Sequence, residues 1–337
     1  MMNKTEIDWC DFTWNPVTGC RRNCPYCYAR KMATRFQGDA RLNLSNPQLR
    51  KTHGGLYELD APFRSDEGTI IPFPAGFEPT FHRYRLKDIY RKKKPARIFV
   101  CSVADLFAPD IPAEWIAEVF DACRNAPWHK YLFLTKFPKR YKQLEADGAL
   151  LAEDNFWFGT TVTLGQELDR LKDLPDANTF ISIEPILSRV DLDLSDALHN
   201  VDWIIAGAET GNQRQKTKPE ASWIAHIVAA AKKADIPLLL KHSDELAAVW
   251  PEDIQQFPAS LAPEQDEPIP HCKSCPYAKS EHQGRRGDKY SCTIAPGLDE
   301  DMNAVIRTRH ILGRYTRSSP PWCPLRKENR AGEEEHE

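Results

Sequence analysis

Asp202-Trp203-Ile204-Ile205-Ala206-Gly207-Ala208-Glu209-Thr210-Gly211 is the stretch that decides the fold. Trp203–Gly207 is short, β-branched and apolar almost throughout, which is how a strand buried on both faces of a parallel sheet reads. A polar residue, Glu209, follows two positions on. Five other runs have this form: Ile98–Ser102, Tyr131–Thr135, Phe156–Thr160, Phe180–Glu184 and Pro237–Lys241, and a first strand is expected within Asp11–Pro16. One-sided helical patterns lie between them. After Pro112, which suits a first helical position, Trp115, Ile116, Val119, Phe120 and Cys123 recur at intervals of three and four. Trp223, Ile224, Ile227, Val228 and Ala231 do likewise, with Ser222 expected as N-cap, and Leu164–Leu174 reads as a third, more charged helix. This alternation argues for βαβ units with right-handed crossovers, in a partial or full (β/α) barrel of about seven strands.

Residues 36–97 interrupt the pattern with Gly, Pro, Asn and aromatic residues and no clean periodicity. Residues 1–250 therefore read as a barrel with an insertion at about 36–97. From Pro251 to Pro270 the composition shifts to Pro, acidic residues and Gln, as in a linker. Residues 271–326 form a small cysteine-bearing module, and residues 327–337 are a charged tail expected to be disordered.

Hydrophobic residues make up 41% of the 337, enough for a large core. The start, Met1–Glu6, has no apolar leader segment, and no stretch reaches membrane-spanning length, so a cytoplasmic protein without membrane contact is expected. In that compartment ten cysteines argue for metal rather than disulfides. A net charge of −3 gives no general attraction to nucleic acid, so any such contact needs a local patch. The most basic stretch, Lys87–Arg97, reads either as a solvated helix face or as a phosphate-contacting surface.

In barrels of parallel strands the active site lies at the C-terminal strand ends. Here those ends carry Ser102 and Asp105, Thr135 and Lys136, Thr160 and Thr161, Glu184, Glu209 and Thr210, and Lys241 and His242. Any one of them alone reads more readily as a strand-terminating or capping residue; six such ends beside a cysteine loop make the stronger signal. Glu184, Glu209 and Lys241 are the catalytic candidates. A carboxylate at Glu184 or Glu209 suits ribose hydroxyls or an amine, and Gly207 permits close backbone approach. Ser102, Asp105 and Thr160 join them as candidate cofactor contacts.

Gly19-Cys20-Arg21-Arg22-Asn23-Cys24-Pro25-Tyr26-Cys27-Tyr28-Ala29 holds three cysteines with gaps of three and two residues. Three readings stay open from spacing: a four-iron cluster with one free iron, a structural zinc site completed by Cys10, or cysteines without metal.

The triplet, with an aromatic residue before its third cysteine, resembles the cluster loop of the radical S-adenosylmethionine superfamily. Trp14-Asn15-Pro16, Cys27-Tyr28-Ala29, Ser102-Val103-Ala104-Asp105-Leu106-Phe107, Leu134-Thr135-Lys136, Ser182-Ile183-Glu184-Pro185 and Asp202–Gly211 are similar to a radical-SAM-type family common in phage genomes. The resemblance covers about residues 5–243. It implies a TIM-like barrel of radical-SAM type, a [4Fe-4S] cluster on Cys20, Cys24 and Cys27, bound S-adenosyl-L-methionine and an external electron donor. It also implies a place for Tyr26 near the adenine. The first cysteine gap is shorter than in many members of the phage family, and no Gly-Gly-Glu run follows the second strand. The resemblance supplies cofactors but no substrate; nucleic acid is one candidate.

Cys272, Cys275, Cys292 and Cys323 make a complete tetrahedral set, for zinc or for a second iron–sulfur cluster. Arg285, Arg286 and Lys289, between the second and third of these, permit a nucleic-acid contact. The competing function is thus a non-catalytic, zinc-stabilised nucleic-acid-binding protein.

Overall fold

The computed structural model describes residues 2–52, 54–192, 198–210 and 217–262, and the backbone of 278–282, 288–298 and 304–311. The chain divides into two units, Met1–Ala262 and Pro263–Glu337. The first is a mixed α/β fold on an eight-stranded sheet. In chain order its strands are β1 (Met2–Lys4), β2 (Phe12–Trp14), β3 (Val17–Thr18), β4 (Arg50–Lys51), β5 (Tyr57–Leu59), β6 (Thr80–His82), β7 (Arg97–Val100), β8 (Lys130–Thr135), β9 (Phe156–Thr161), β10 (Asn178–Ile183), β11 (Ile204–Ala206) and β12 (Leu238–Leu240). The main sheet runs β1-β2-β7-β8-β9-β10-β11-β12. All neighbours pair in parallel except β1 with β2. The expected strands are there in the expected order. Among the described residues no pairing joins β12 back to β1, so the sheet is open and the full barrel is not what is seen.

Period-two alternation gives the sheet two distinct faces. Ile98, Val100, Tyr131, Phe133, Phe156, Phe158, Ile181, Ile183 and Ile204 share one core with α3 (Ala113–Arg124), α4 (Lys139–Ala146) and α5 (Ala221–Ala234), through Phe120, Cys123, Tyr141, Leu144, Ile224 and Ile227. On this side Phe120, Phe133, Phe156 and Phe158 pack edge-to-face or tilted, with ring centroids 5.3–6.5 Å apart in most pairs. On the other face Phe99, Leu132, Trp157, Phe180, Trp203 and Leu239 gather around Trp9, Cys10 and Leu261. Gly159 lies under the Phe180 ring, which a Cβ there would meet at 2.4 Å.

Two local expectations are corrected. Glu220, not Ser222, is the N-cap of α5, and the Ser222 hydroxyl instead donates to the Glu220 carboxylate at 3.2 Å. Gly165–Asp173 is 3₁₀-helical, tighter than the α-helix expected, with the Glu167 side chain turned back onto Thr163. The 36–97 region is ordered around a second sheet, β3-β6-β5-β4, with its own core of Leu49, Tyr57, Leu59, Phe63 and Ala75. Strands of two or three residues carry too little periodicity to be read from sequence.

The first part of the Pro-rich stretch packs on the inner face: the Gln256 carbonyl accepts from Trp203 Nε1 at 2.9 Å, and Phe257 lies 5.3 Å from the Trp203 ring. Of the six cations of the Lys87–Arg97 stretch, Lys92, Lys93 and Arg97 lie against protein groups, while Lys87, Arg91 and Lys94 are exposed. Lys92 sits over Phe12 and Lys93 over Trp128, and Arg97 pairs with Asp11 at 2.7 Å. In the second unit the described backbone is an antiparallel sheet of β13 (Ala278–His282), β14 (Asp288–Leu298) and β15 (Ala304–Ile311), where Cys292 is paired with Ala278 and Arg309. Cys272, Cys275, Cys323, Arg285 and Arg286 lie outside the described residues. No helix among those described is long and apolar enough to cross a membrane.

Candidate functional site

The cysteine loop leaves the sheet at the C-terminal end of β2 and is pinned by its backbone. Gly19 bridges Ala104, and its N–H donates to the Val103 carbonyl at 3.0 Å. Its φ is +86°, and a Cβ would fall 2.4 Å from the Glu78 carbonyl oxygen, so only glycine fits. The Cys20 N–H then donates to Phe77 O at 3.0 Å, and the Cys27 N–H closes a turn onto Cys24 O at 3.1 Å. Just before the loop, Thr18 Oγ1 and His82 Nε2 are 2.9 Å apart in a buried contact. Burial, helped by the Arg85 charge, holds the His82 pKa well below the ordinary imidazole value, so the ring is neutral. Cys27 caps α1 (Tyr28–Phe36), which packs through the small residues Ala29 and Ala33 against Phe73 and Val103.

All three loop cysteines are free thiols. Burial pushes the Cys20 thiol up to about 11, with Asp105, Cys24 and Cys27 adding to the rise, so the three lie within each other's field. Among the described residues no three His, Cys, Asp or Glu side chains form a ready metal-ligating group. The donor chemistry nonetheless suits an iron–sulfur cluster: soft sulfur donors on one loop, with a cation beneath it. Arg30 donates from Nη2 to the Cys20 carbonyl at 3.1 Å, while its buried Nε has no hydrogen-bond partner. That unused N–H and the guanidinium charge complement an anionic group on the loop. Cys10 belongs to the apolar cluster under the sheet, its thiol raised to about 12 by burial.

The strand-end residues fall into two groups. Some tie the fold. Asp105 is buried and accepts from Thr135 Oγ1 at 2.6 Å, Lys136 N at 2.9 Å and Phe107 N at 3.2 Å, binding the end of β7 to that of β8. Burial raises its pKa against those bonds. Thr160 is buried on the helix side and donates to Thr135 O. Ser102 Oγ donates to Asn15 Oδ1. Glu209 is 8% exposed and accepts from Thr217 N at 3.1 Å.

The others continue the inner face beyond its apolar end. Thr161, rather than Thr160, has the inner register, and accepts from Lys136 Nζ at 3.2 Å. Lys136 also lies 5.9 Å from the Tyr26 ring, whose hydroxyl burial raises to about 12. Lys241 Nζ is 2.9 Å from Glu184 Oε1, and Ser182 Oγ donates to Glu184 Oε2 at 3.3 Å. The Glu184 charge, outweighing burial, raises the Lys241 pKa, so the lysine keeps its charge. A Cβ on Gly207 would meet Glu184 Oε1 at 3.0 Å and Lys241 Cβ at 3.2 Å; the missing side chain leaves the pair its room. His242 lies at the edge between Asp8 and Asp253.

Sequence reasoning missed the roles of Arg30 and Tyr28. The Tyr28 hydroxyl donates to Ser102 O at 2.5 Å and is raised to about 12, first by burial, although the residue as a whole is 53% exposed. One side chain thus connects the loop's helix to the end of β7. Its position directly after Cys27 was the available signal.

The sequence model of a family described as a protein of unknown function (DUF5131) matches residues 4–290. No curated protein matches the chain. Similar solved structures include spore photoproduct lyase complexed with dinucleoside spore photoproduct, at 10% identity and a TM-score of 0.39. They also include a double mutant of that lyase with bound AdoMet and the same dinucleoside, at 9% and 0.40. In both cases the match covers 86% of this chain and 70% of the other.

Proposed function

The chain belongs to the DUF5131 family, and we propose that it is a radical S-adenosylmethionine enzyme, with Cys20, Cys24 and Cys27 holding a [4Fe-4S] cluster. One observation carries the reading: a three-thiol loop, fixed by its own backbone, stands at the C-terminal ends of a parallel sheet whose inner face turns from apolar to charged there. When bound, cluster and cofactor supply one-electron cleavage of a sulfonium bond and abstraction of a hydrogen atom from substrate, with the electron coming from an external donor. On this reading the open sheet is a partial barrel.

The protein's own groups bind and orient. The Glu184 carboxylate, fixed by Lys241 and Ser182, accepts from hydroxyls or an ammonium group of the cofactor. Gly207 keeps room for the Glu184–Lys241 pair against the backbone, and the Tyr26 ring offers the cofactor a flat apolar surface. Glu209 closes the far side of the rim, and Ser102, Asp105 and Thr160 hold the strand ends in place. Trp157, Phe180 and Trp203 seal the floor of the site against water. For Cys272, Cys275, Cys292 and Cys323 the proposal is a separate site for zinc or a second cluster.

The test is anaerobic reconstitution with iron and sulfide. Brown protein that bleaches with dithionite and forms 5′-deoxyadenosine from S-adenosyl-L-methionine is expected. Cys24→Ala is expected to lose the iron of this site and all cleavage, while Cys10→Ala keeps both. Equal loss in the two variants, or colourless wild-type protein carrying only zinc, would favour the zinc-stabilised binding protein instead.

A further inference from the structure

Among the described residues, the large apolar side chains that remain exposed all fall between positions 28 and 70. Three form a stripe on one side of α1: Tyr28, Met32 and Phe36, at i, i+4 and i+8, are 53%, 39% and 46% exposed, while Ala29 and Ala33 bury the other side. Leu42 and Leu44 of α2 (Ala40–Ser45) add two more, and the connection between the helices is held by the Asn43 side chain donating to Gln37 O at 2.7 Å.

This stretch is also where the charge lies. Residues 20–50 hold seven Lys or Arg against one Asp, in a chain of net charge −3. Lys31, Arg35 and Arg41 are exposed and enter no ion pair among the described residues, and Arg35 lies 5.2 Å from the Phe36 ring. Exposed aromatic rings interleaved with unpaired cations match a polyanion that carries free flat faces. A protein surface offers the rings but not a regular line of negative charge, and duplex DNA offers the charge but keeps its base faces stacked.

We infer that the α1 face is a platform for single-stranded nucleic acid. Phe36 and Met32 stack or pack against unpaired bases, and Lys31, Arg35 and Arg41 neutralise phosphates. The inference deepens the proposed function and rests on it, since the helix starts one residue after Cys27 and a strand on it is led toward the cysteine loop. It relocates the nucleic-acid contact from Lys87–Arg97, where Arg97 is paired with Asp11 and no large apolar side chain is exposed.

The experiment is fluorescence anisotropy of full-length protein with a labelled oligothymidylate of about a dozen nucleotides and with its duplex. Single strand is expected to bind more tightly, with a log–log salt slope near −2 if three phosphates are neutralised at about −0.7 each. K31E/R35E/R41E should remove most of that slope. Phe36→Ala should weaken binding by about fivefold or more at unchanged slope, since stacking is uncharged. K92E/K93E/K94E should change neither. Equal affinity for duplex, wild-type binding by Phe36→Ala, or no binding at low salt would overturn the platform. So would a dimer in sedimentation that Phe36→Ala disperses, or capture by anionic vesicles in place of the oligonucleotide. Iron content measured on the same preparations separates the two readings. Iron-free protein that still binds single strands would sink the radical chemistry alone, and iron-loaded protein that binds none would sink the platform alone.

Discussion

The two ends of the inner sheet face are built from the same strands at the same pleat positions, yet they are chemically opposite. At the N-terminal end Phe99, Trp157, Phe180 and Trp203 pack without exposed surface larger than 8% of any residue. Two to four residues further along β8 to β12 the same register presents Lys136, Thr161, Ser182, Glu184 and Lys241, joined by hydrogen bonds and one ion pair. The difference separates two tasks. Large rings at one end supply buried apolar area and fix the strand register, and the other end is thereby free to hold charges that add little to stability.

This contrast can be broken from the packed end first. Trp203→Ala removes a fully buried ring that touches Trp157, Phe180 and Phe257, and is expected to cost about 3–5 kcal/mol in urea denaturation. Iron content per folded molecule should not change. A cost below about 1 kcal/mol would mean that the ring is not what organises the inner face.

A smaller effect is expected from pH at the junction of loop and sheet. The folded-state pKa of His82 lies well below 6.5, so it favours the folded state above the unfolded pKa and loses that contribution as pH falls from about 6.5 towards its folded value. Stability should fall in this window by up to about 1.4 kcal/mol per pH unit for the one proton involved, and His82→Gln should flatten that part of the curve. An unchanged pH profile in His82→Gln would assign the slope to other groups.

Least expected of all is a fold defect at the rim. Lys241→Met leaves Glu184 without its cation, but the side chains retain 29% and 18% exposure, so a loss of about 1 kcal/mol is expected in the melt. Formation of 5′-deoxyadenosine should drop by about tenfold or more, as for a lost charge-assisted hydrogen bond. A large melting shift without a change in cleavage would turn the pair into a structural bridge and erase the distinction between the ends.

The strands, their order and the cysteine loop were legible because each rests on a local signal: a run such as Trp203–Gly207 fits the interior of a sheet, and three cysteines within eight residues mark a loop of their own. Which face a residue takes was harder to see. Phe156-Trp157-Phe158-Gly159-Thr160-Thr161 is buried from end to end, so no apolar–polar alternation marks Thr161 as the inner residue and Thr160 as the outer one. Asp105 resembled a cofactor contact because its three donors come from β8 and its own turn, which only the fold brings to it. The exposed stripe of α1 reads in sequence like any amphipathic helix until its buried side proves to be the alanines.

The pinned loop has a consequence for the life of the protein. Gly19 and Cys20 are fixed to Val103 and Phe77 by main-chain hydrogen bonds, and Cys27 is turned onto Cys24, so the loop is held at both ends by bonds that do not use its thiols. On the proposed reading, oxygen would strip the cluster and leave a folded shell, which can be refilled with iron and sulfide rather than made again.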